Sequence, residues 1–147
     1  MYDSLYGERT TGMKILIVDD ELTSRELLKA MLAPYGECHI CESGREAVKT
    51  FKRSEDQGER FELICLDIMM PEMGGHETLR EIRKIEAARQ DENSPRTKVI
   101  MTTALGDAQN IMDAVKSGDD AYIVKPVGKE TLIKRMKELG LLTEDAS

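Results

Sequence analysis

Four sets of polar groups in this chain stand where apolar runs stop. Asp19 and Asp20 follow residues 14–18, and Asp67 follows 61–66. Thr102 and Thr103 end the run from 98, and Lys125 ends the run 121–124. Clustered carboxylates repel one another and are driven toward protonation unless a cation joins them. A hard divalent cation with oxygen ligands answers that repulsion. Mg2+ is the natural choice, because it keeps several waters and takes a phosphate oxygen as a ligand. A carboxylate held beside such a cation and an ammonium group can serve as the nucleophile of a phosphoryl transfer. Taken singly, each piece has a plainer reading. An Asp-Asp pair at a strand end also fits a turn or helix cap, and Lys125 also fits a surface charge. The joint occurrence, each at a strand end, points to a site.

The elements that must position these groups can be read from periodicity. Residues 15–18 are wholly apolar, as expected of a strand covered on both faces. Thr23-x-x-Glu26 is a capping box opening a helix with an apolar face of Leu27, Leu28, Met31 and Leu32. Residues 38–41 read as a second strand. Ser43-x-x-Glu46 is another capping box, opening a helix with Ala47, Val48 and Phe51. A polar loop at 54–60 precedes a third strand at 61–66. The loop 68–75 holds Pro71, Gly74 and Gly75. A helix with Leu79, Ile82 and Ile85 follows, its charged end running out through 90–94. Residues 98–102 form the fourth strand. Asp107 is a candidate N-cap for a fourth helix carrying Ile111, Ala114 and Val115, and Gly118 suits its C-cap. Residues 121–124 are the fifth strand. Leu132, Ile133, Met136 and Leu139 stripe the last helix, which Gly140 ends.

Five strands alternating with five helices predict an α/β, doubly wound parallel sheet of the flavodoxin-like kind. In the common order 2-1-3-4-5, strands one and three are neighbours across the switch point, where ligands bind beyond the strand ends. Neighbouring strands lie about 4.8 Å apart, so Asp19, Asp20 and Asp67 converge at one edge.

Composition narrows the function classes. The 147 residues fit one domain: residues 13–141, with a flexible extension at 1–12 and a short tail at 142–147. The net charge of −7 argues against a general binder of nucleic acid or anionic membrane. No apolar run reaches the roughly 20 residues that span a bilayer. No signal peptide is evident, and cytoplasm is the expected location. Cys38, Cys41 and Cys65 are odd in number and strand-borne, which fits reduced thiols. Cys38-His39-x-Cys41 has metal-ligand types, but alternation along a strand sends the two thiols to opposite faces.

The chain resembles the receiver domain of a two-component response regulator, of the single-domain chemotaxis (CheY-like) type. The matching residues are Asp19-Asp20, the run from Asp67 through Pro71 to Gly74-Gly75, Thr103-Ala104, and Tyr122-Ile123-Val124-Lys125-Pro126. The resemblance implies that Asp67 is the phosphoacceptor, taking a phosphoryl group from a phosphohistidine. It implies Mg2+ bound directly by Asp20, through water by Asp19, and also by Asp67 and the backbone carbonyl of Met69. Lys125 and Thr103 would contact the phosphoryl oxygens, and the Lys125–Pro126 bond would be cis. Tyr122 would turn inward as Thr103 is drawn to the phosphoryl group, reshaping the surface of the fourth helix, fifth strand and fifth helix. The implied partners are a sensor histidine kinase or phosphotransfer protein and a downstream protein effector. A homodimer through the same face is a further candidate. Neither direct DNA binding nor membrane insertion is expected. The chemistry would be self-phosphorylation, not turnover of an external substrate.

Some features depart from that pattern. Met69 and Leu105 are apolar at positions flanking the route of the hydrolytic water, so slow self-dephosphorylation is expected. Asp119-Asp120 adds acid where small residues are usual, with a solvated turn as its plain reading. Other function classes fit less well. A degenerate receiver would lack one of the acidic residues or Lys125. An aspartate-nucleophile phosphohydrolase needs a second acid two residues on, and Asp67-Ile68-Met69 has none. No Gly-x-Gly-x-x-Gly follows the first strand, which disfavours a dinucleotide fold. His39 and His76 read as surface or packing residues.

Overall fold

The computed structural model describes residues 12–89, 94–104 and 120–144. Five strands run β1 (Met13–Val18), β2 (Gly36–Cys41), β3 (Leu63–Asp67), β4 (Lys98–Thr103) and β5 (Asp120–Val124). Four α-helices are described: α1 (Leu22–Leu32), α2 (Gly44–Asp56), α3 (Gly75–Ala87) and α4 (Lys129–Glu138). The strands form one parallel sheet in the order β2-β1-β3-β4-β5, as expected. α4 is the fifth of the helices expected from sequence. The fourth, with Asp107, Ile111, Ala114, Val115 and Gly118, lies outside the described residues, as do Leu105, Asp119 and residues 1–11.

Alternation along the strands builds two cores. Ile15 and Ile17 of β1, with Leu63 and Cys65 of β3, pack against Leu28 and Leu32 of α1 and Leu132 and Met136 of α4. Leu16 and Val18, with Ile64 and Leu66, pack against Ala47 and Phe51 of α2 and Ile82 of α3. Residues 15–18 of β1 and 63–66 of β3 therefore need to be apolar at every position. Each fully buried Leu or Ile contributes roughly 1.5–3 kcal/mol. Cys38 joins the first cluster and Cys41 the second, so the two thiols do face opposite ways, and all three cysteines are free.

Local signals held at some helix ends and failed at others. Ser43 Oγ accepts from the Glu46 N–H at 3.1 Å, the expected cap of α2. Its reciprocal arm reaches one residue further back, with Glu46 Oε1 accepting from the Glu42 N–H at 2.8 Å. The box at Thr23 does not form. α1 starts at Leu22 on Glu21, which makes no side-chain cap bond. The chain leaves β1 too abruptly for Thr23 to precede the helix. The buried stripe of α1 is Arg25, Leu28 and Leu32, while Leu27 is exposed. The polar loop at 54–60 is shorter than expected, because α2 continues to Asp56. Gly140 ends α4 as expected. Its φ of 80° lets Leu141 N–H reach Met136 O at 2.8 Å and Gly140 N–H reach Lys137 O at 3.0 Å.

An ionic network ties the far edge of the sheet together. Arg83 of α3 donates to Glu86 and to Asp120, each at 2.6 Å, and to the Thr97 carbonyl at 3.0 Å. Glu86 accepts from the Thr97 N–H at 2.7 Å. Arg89 forks onto Glu55 of α2 with two bonds of 2.8 Å. Asp120 is therefore an anchor for the start of β5, with a side chain only 10% exposed, and not the solvated turn expected from sequence.

The loop from β3 into α3 is tight. Glu72 takes a left-handed φ of 68° in a three-residue turn closed by Met73 N–H to Pro71 O at 2.7 Å. Gly75 then donates to Ile68 O at 2.9 Å. A Cβ at Gly75 would stand 2.5 Å from the Asp67 carbonyl oxygen and 2.8 Å from Ile68 Cα. These are backbone atoms and cannot swing away. Gly75→Ala is expected to lower stability by roughly 1–3 kcal/mol, read as a lower denaturant midpoint. An unchanged midpoint would show that the loop relaxes freely.

Candidate phosphoryl-transfer site

The acidic groups meet where β1 and β3 end side by side. Ligand oxygens of Asp19, Asp20 and Asp67 all lie within 4.8 Å of one another. Asp19 is the most committed. Its N–H donates to Cys41 O at 3.2 Å, Oδ1 accepts from the Glu21 N–H at 2.9 Å, and Oδ2 accepts from Lys125 Nζ at 3.0 Å. Asp20, by contrast, is exposed. Asp67 is buried, its Oδ1 accepting from the Met69 N–H at 3.2 Å and its Oδ2 lying 3.6 Å from Lys125 Nζ.

Lys125 directly follows β5, and the Lys125–Pro126 bond after it is cis, as expected. Its N–H donates to Thr103 O at 2.7 Å, which fixes the β5 end to the β4 end. Burial works to lower its pKa, but the hydrogen bond to Asp19 and the charges of Asp67 and Asp19 prevail and raise it. Lys125 is thus held as a cation.

Burial, then the charge of Asp19, push the Asp67 carboxyl up to about 7. The Lys125 charge and the Met69 N–H oppose that rise, while a hydrogen bond shared with Asp20 adds to it. Among the described residues, three carboxylates facing one ammonium leave the pocket short of positive charge. An all-oxygen donor set with that deficit fits a hard dication.

Thr103 is fully buried at the end of β4, one position past Thr102, which pairs in register with Asp67. The Thr103 hydroxyl here donates to the Ala104 carbonyl at 3.3 Å. Tyr122 is buried with its ring in the cluster of Met101 and Ile82. Its hydroxyl has no hydrogen-bond partner among the described residues. Burial first and then the Asp120 charge push that phenol up to about 12. The Met69 side chain is 59% exposed beside the pocket.

A sequence profile described as the response regulator receiver domain matches residues 15–137. The chain belongs to that family. This receiver domain is 31% identical over 130 residues to the chemotaxis protein CheY of Thermotoga maritima, covering 87% of this chain and 98% of that one. It is 35% identical over 133 residues to a probable transcriptional regulator, ycf27, of Cyanophora paradoxa, covering 90% of this chain and 50% of that one. The chain thus spans about half the length of several curated relatives it matches. Among solved structures, the receiver domain of the Arabidopsis thaliana histidine kinase CKI1, complexed with Mg2+ and BeF3−, superposes with a TM-score of 0.70. It is 30% identical, covering 89% of this chain and 91% of that one.

Two groups near the pocket are given no role by the sequence, although Thr102 stands in one of its strand-end pairs. Arg25 is a cation in the buried stripe of α1, and its guanidinium reaches back to the Asp19 carbonyl. The clue was its spacing, three and seven residues ahead of Leu28 and Leu32. Thr102 Oγ1 is buried without a partner among the described residues. Its strand-end place was readable, and the strand register sets it beside Asp67.

The raised Asp67 pKa makes a pH prediction. A carboxyl that binds its proton more tightly when folded stabilises the fold fully below its unfolded pKa of 3.8, and that contribution is lost as pH rises through about 7. In EDTA, Asp67→Asn should therefore gain on the wild type between pH 4 and 8, by on the order of 3 kcal/mol. Urea titrations across that range measure it. Parallel pH profiles for the two proteins would contradict the raised pKa.

Proposed function

We propose that Asp67 is the phosphoacceptor of this receiver domain, with residues 13–141 as the working unit. The observation that carries the reading is the placement of Asp67: a buried carboxylate at a strand end, facing one ammonium and two further carboxylates. Asp19, Asp20, Asp67 and the Met69 carbonyl are the groups to hold Mg2+, and the bound ion would supply charge neutralisation for the phosphoryl oxygens. Asp20, exposed and less engaged than Asp19, suits direct ligation. Asp19, with Oδ2 on Lys125 and Oδ1 on a backbone N–H, suits contact through water.

In the transfer, an Asp67 carboxylate oxygen attacks the phosphorus of a phosphohistidine. A P–O bond forms, the P–N bond breaks, and the imidazole leaves with its electron pair. Lys125 moves its hydrogen bonding from carboxylate to phosphoryl oxygen, as a point charge. Thr103 gives up the Ala104 carbonyl and donates to the phosphoryl group. Tyr122 already sits inside, but its hydroxyl is unpartnered among the described residues. A buried orphan hydroxyl costs about 1–3 kcal/mol, so an outward ring that wets the hydroxyl is within thermal reach. That balance suits a two-position switch on the surface around β5 and α4.

The reaction is self-phosphorylation from a donor, without turnover of an external substrate. The donor class is a sensor histidine kinase or phosphotransfer protein, and the output is a protein effector or a second copy of the chain. The net charge of −7 disfavours direct DNA binding. No helix among the described residues is long and apolar enough to cross a membrane. The reading of a cytoplasmic protein is part of the proposal.

Acetyl phosphate with Mg2+, followed by intact mass, tests the acceptor. Wild type should gain one phosphate and Asp67→Asn none. An adduct of equal yield in Asp67→Asn would place the acceptor elsewhere. The lifetime of the adduct is the second test. The Met69 side chain offers no group to orient an attacking water, so wild type should hold its phosphate far longer than seconds, and Met69→Asn should shorten that several-fold. A wild-type half-life of seconds would overturn the slow-release reading.

A further inference from the structure

We propose that Arg25 is a positioning residue for the metal-binding corner, setting the Asp19–Asp20 peptide so that Asp20 meets Mg2+ without reorganisation. The inference rests on the pocket reading above. β1 stops at Val18 and α1 starts at Leu22, so only Asp19, Asp20 and Glu21 connect them. Arg25 lies one helical turn into α1, is 8% exposed, and donates from Nη1 to the Asp19 carbonyl at 3.0 Å. That carbonyl belongs to the peptide joining Asp19 to Asp20. Holding it fixes the plane from which Asp20 projects.

The partners of Arg25 are unusual for a buried cation. A guanidinium out of water ordinarily needs a close carboxylate. Among the described residues, the one acid within an ion pair of it is Glu42, whose carboxylate is 3.9 Å from Nη2 and 71% exposed. Its close acceptor is the Asp19 carbonyl, so the backbone of the metal-binding corner is what this cation is held against. Arg25 also joins two strand ends, through Asp19 at the end of β1 and Glu42 after β2. An Arg is suited to this because its fork is rigid and always charged.

Two effects of Arg25 on Mg2+ oppose each other. Its charge repels a second cation, and its hydrogen bond spares the site the entropy of ordering Asp20. The bond is made directly to the Asp20 peptide, whereas the charge sits behind it, so positioning prevails. Outer-shell partners of metal ligands are typically worth about 10–100-fold in affinity.

Mg2+ titration of the full chain by calorimetry, with thermal melting alongside, is the test. Arg25→Met is expected to weaken Mg2+ about tenfold or more, and Arg25→Lys, which keeps a donor and the charge, distinctly less. A merely structural role would lower the melting temperature and leave Mg2+ affinity unchanged; that result overturns the proposal, as does tighter Mg2+ binding by Arg25→Met. If Arg25→Met does not fold, wild-type NMR decides. The Arg25 Nε–H signal, assigned by its loss in Arg25→Lys, should move with the same Mg2+ midpoint as the Asp20 amide. A stationary signal overturns the proposal. Asp20→Asn separates the two readings. If it binds Mg2+ as wild type does, the pocket reading fails and this proposal with it. If it loses Mg2+ while Arg25→Met keeps it, only the role of Arg25 falls.

Discussion

Like-charge repulsion at the carboxyl ends of β1 and β3 governs the pocket. Three carboxylates share one corner, and one ammonium group is bound among them. The hydrogen bond from Lys125 to Asp19 is therefore the hinge of the arrangement. It keeps Asp19 satisfied in a buried place and leaves Asp20 open to solvent. It also leaves Lys125 within 3.6 Å of Asp67, close enough to follow that carboxylate through a change of charge. Asp67 is buried in the same corner and faces the Asp19 charge, and burial first, then that charge, raises its proton affinity. The pocket is poised to take up positive charge, and negative oxygens only together with it.

Such a corner survives only on a rigid frame. β1 and β3 supply it, because both faces of each strand are buried and a slip of one residue would drive apolar side chains into the wrong layer. α3 contributes at both of its ends. At its start Gly75 packs on the Asp67 backbone, and at its end Arg83 and Glu86 lock it to β5 and the approach to β4. Displacement of α3 would thus be felt at the acceptor and at the strand carrying Tyr122. The ionic network is costly to desolvate, but its hydrogen bonds are well made, and breaking one partner would strand the others.

Much of this was legible in the chain. A strand buried on both faces must be apolar throughout, and its polar successor then stands at the sheet edge. The positions of Asp19, Asp20, Asp67 and Lys125 followed from that, once the strand order was supplied, whereas Thr103 was singled out from its neighbour Thr102 by the family resemblance. The opposed thiols of Cys38 and Cys41 followed from the two-residue period. The cap at Ser43 was readable because its bond spans three residues. The box at Thr23 misled, because the same motif cannot cap a helix that has already begun.

Other features needed the folded molecule. Arg25 looked like one more helix cation until the turn beside it placed the Asp19 carbonyl within reach. Asp120 looked solvated until α3 brought Arg83 to it across 37 residues. Tyr122 could not be assigned inside or outside from its strand position. The division has a physical basis. Periodicity and turn chemistry are local, so the chain itself carried the elements and the strand-end placement of the reacting groups. Ion pairing, desolvation and the proton affinity of Asp67 depend on which distant groups share a low-dielectric corner, and only tertiary packing decides that.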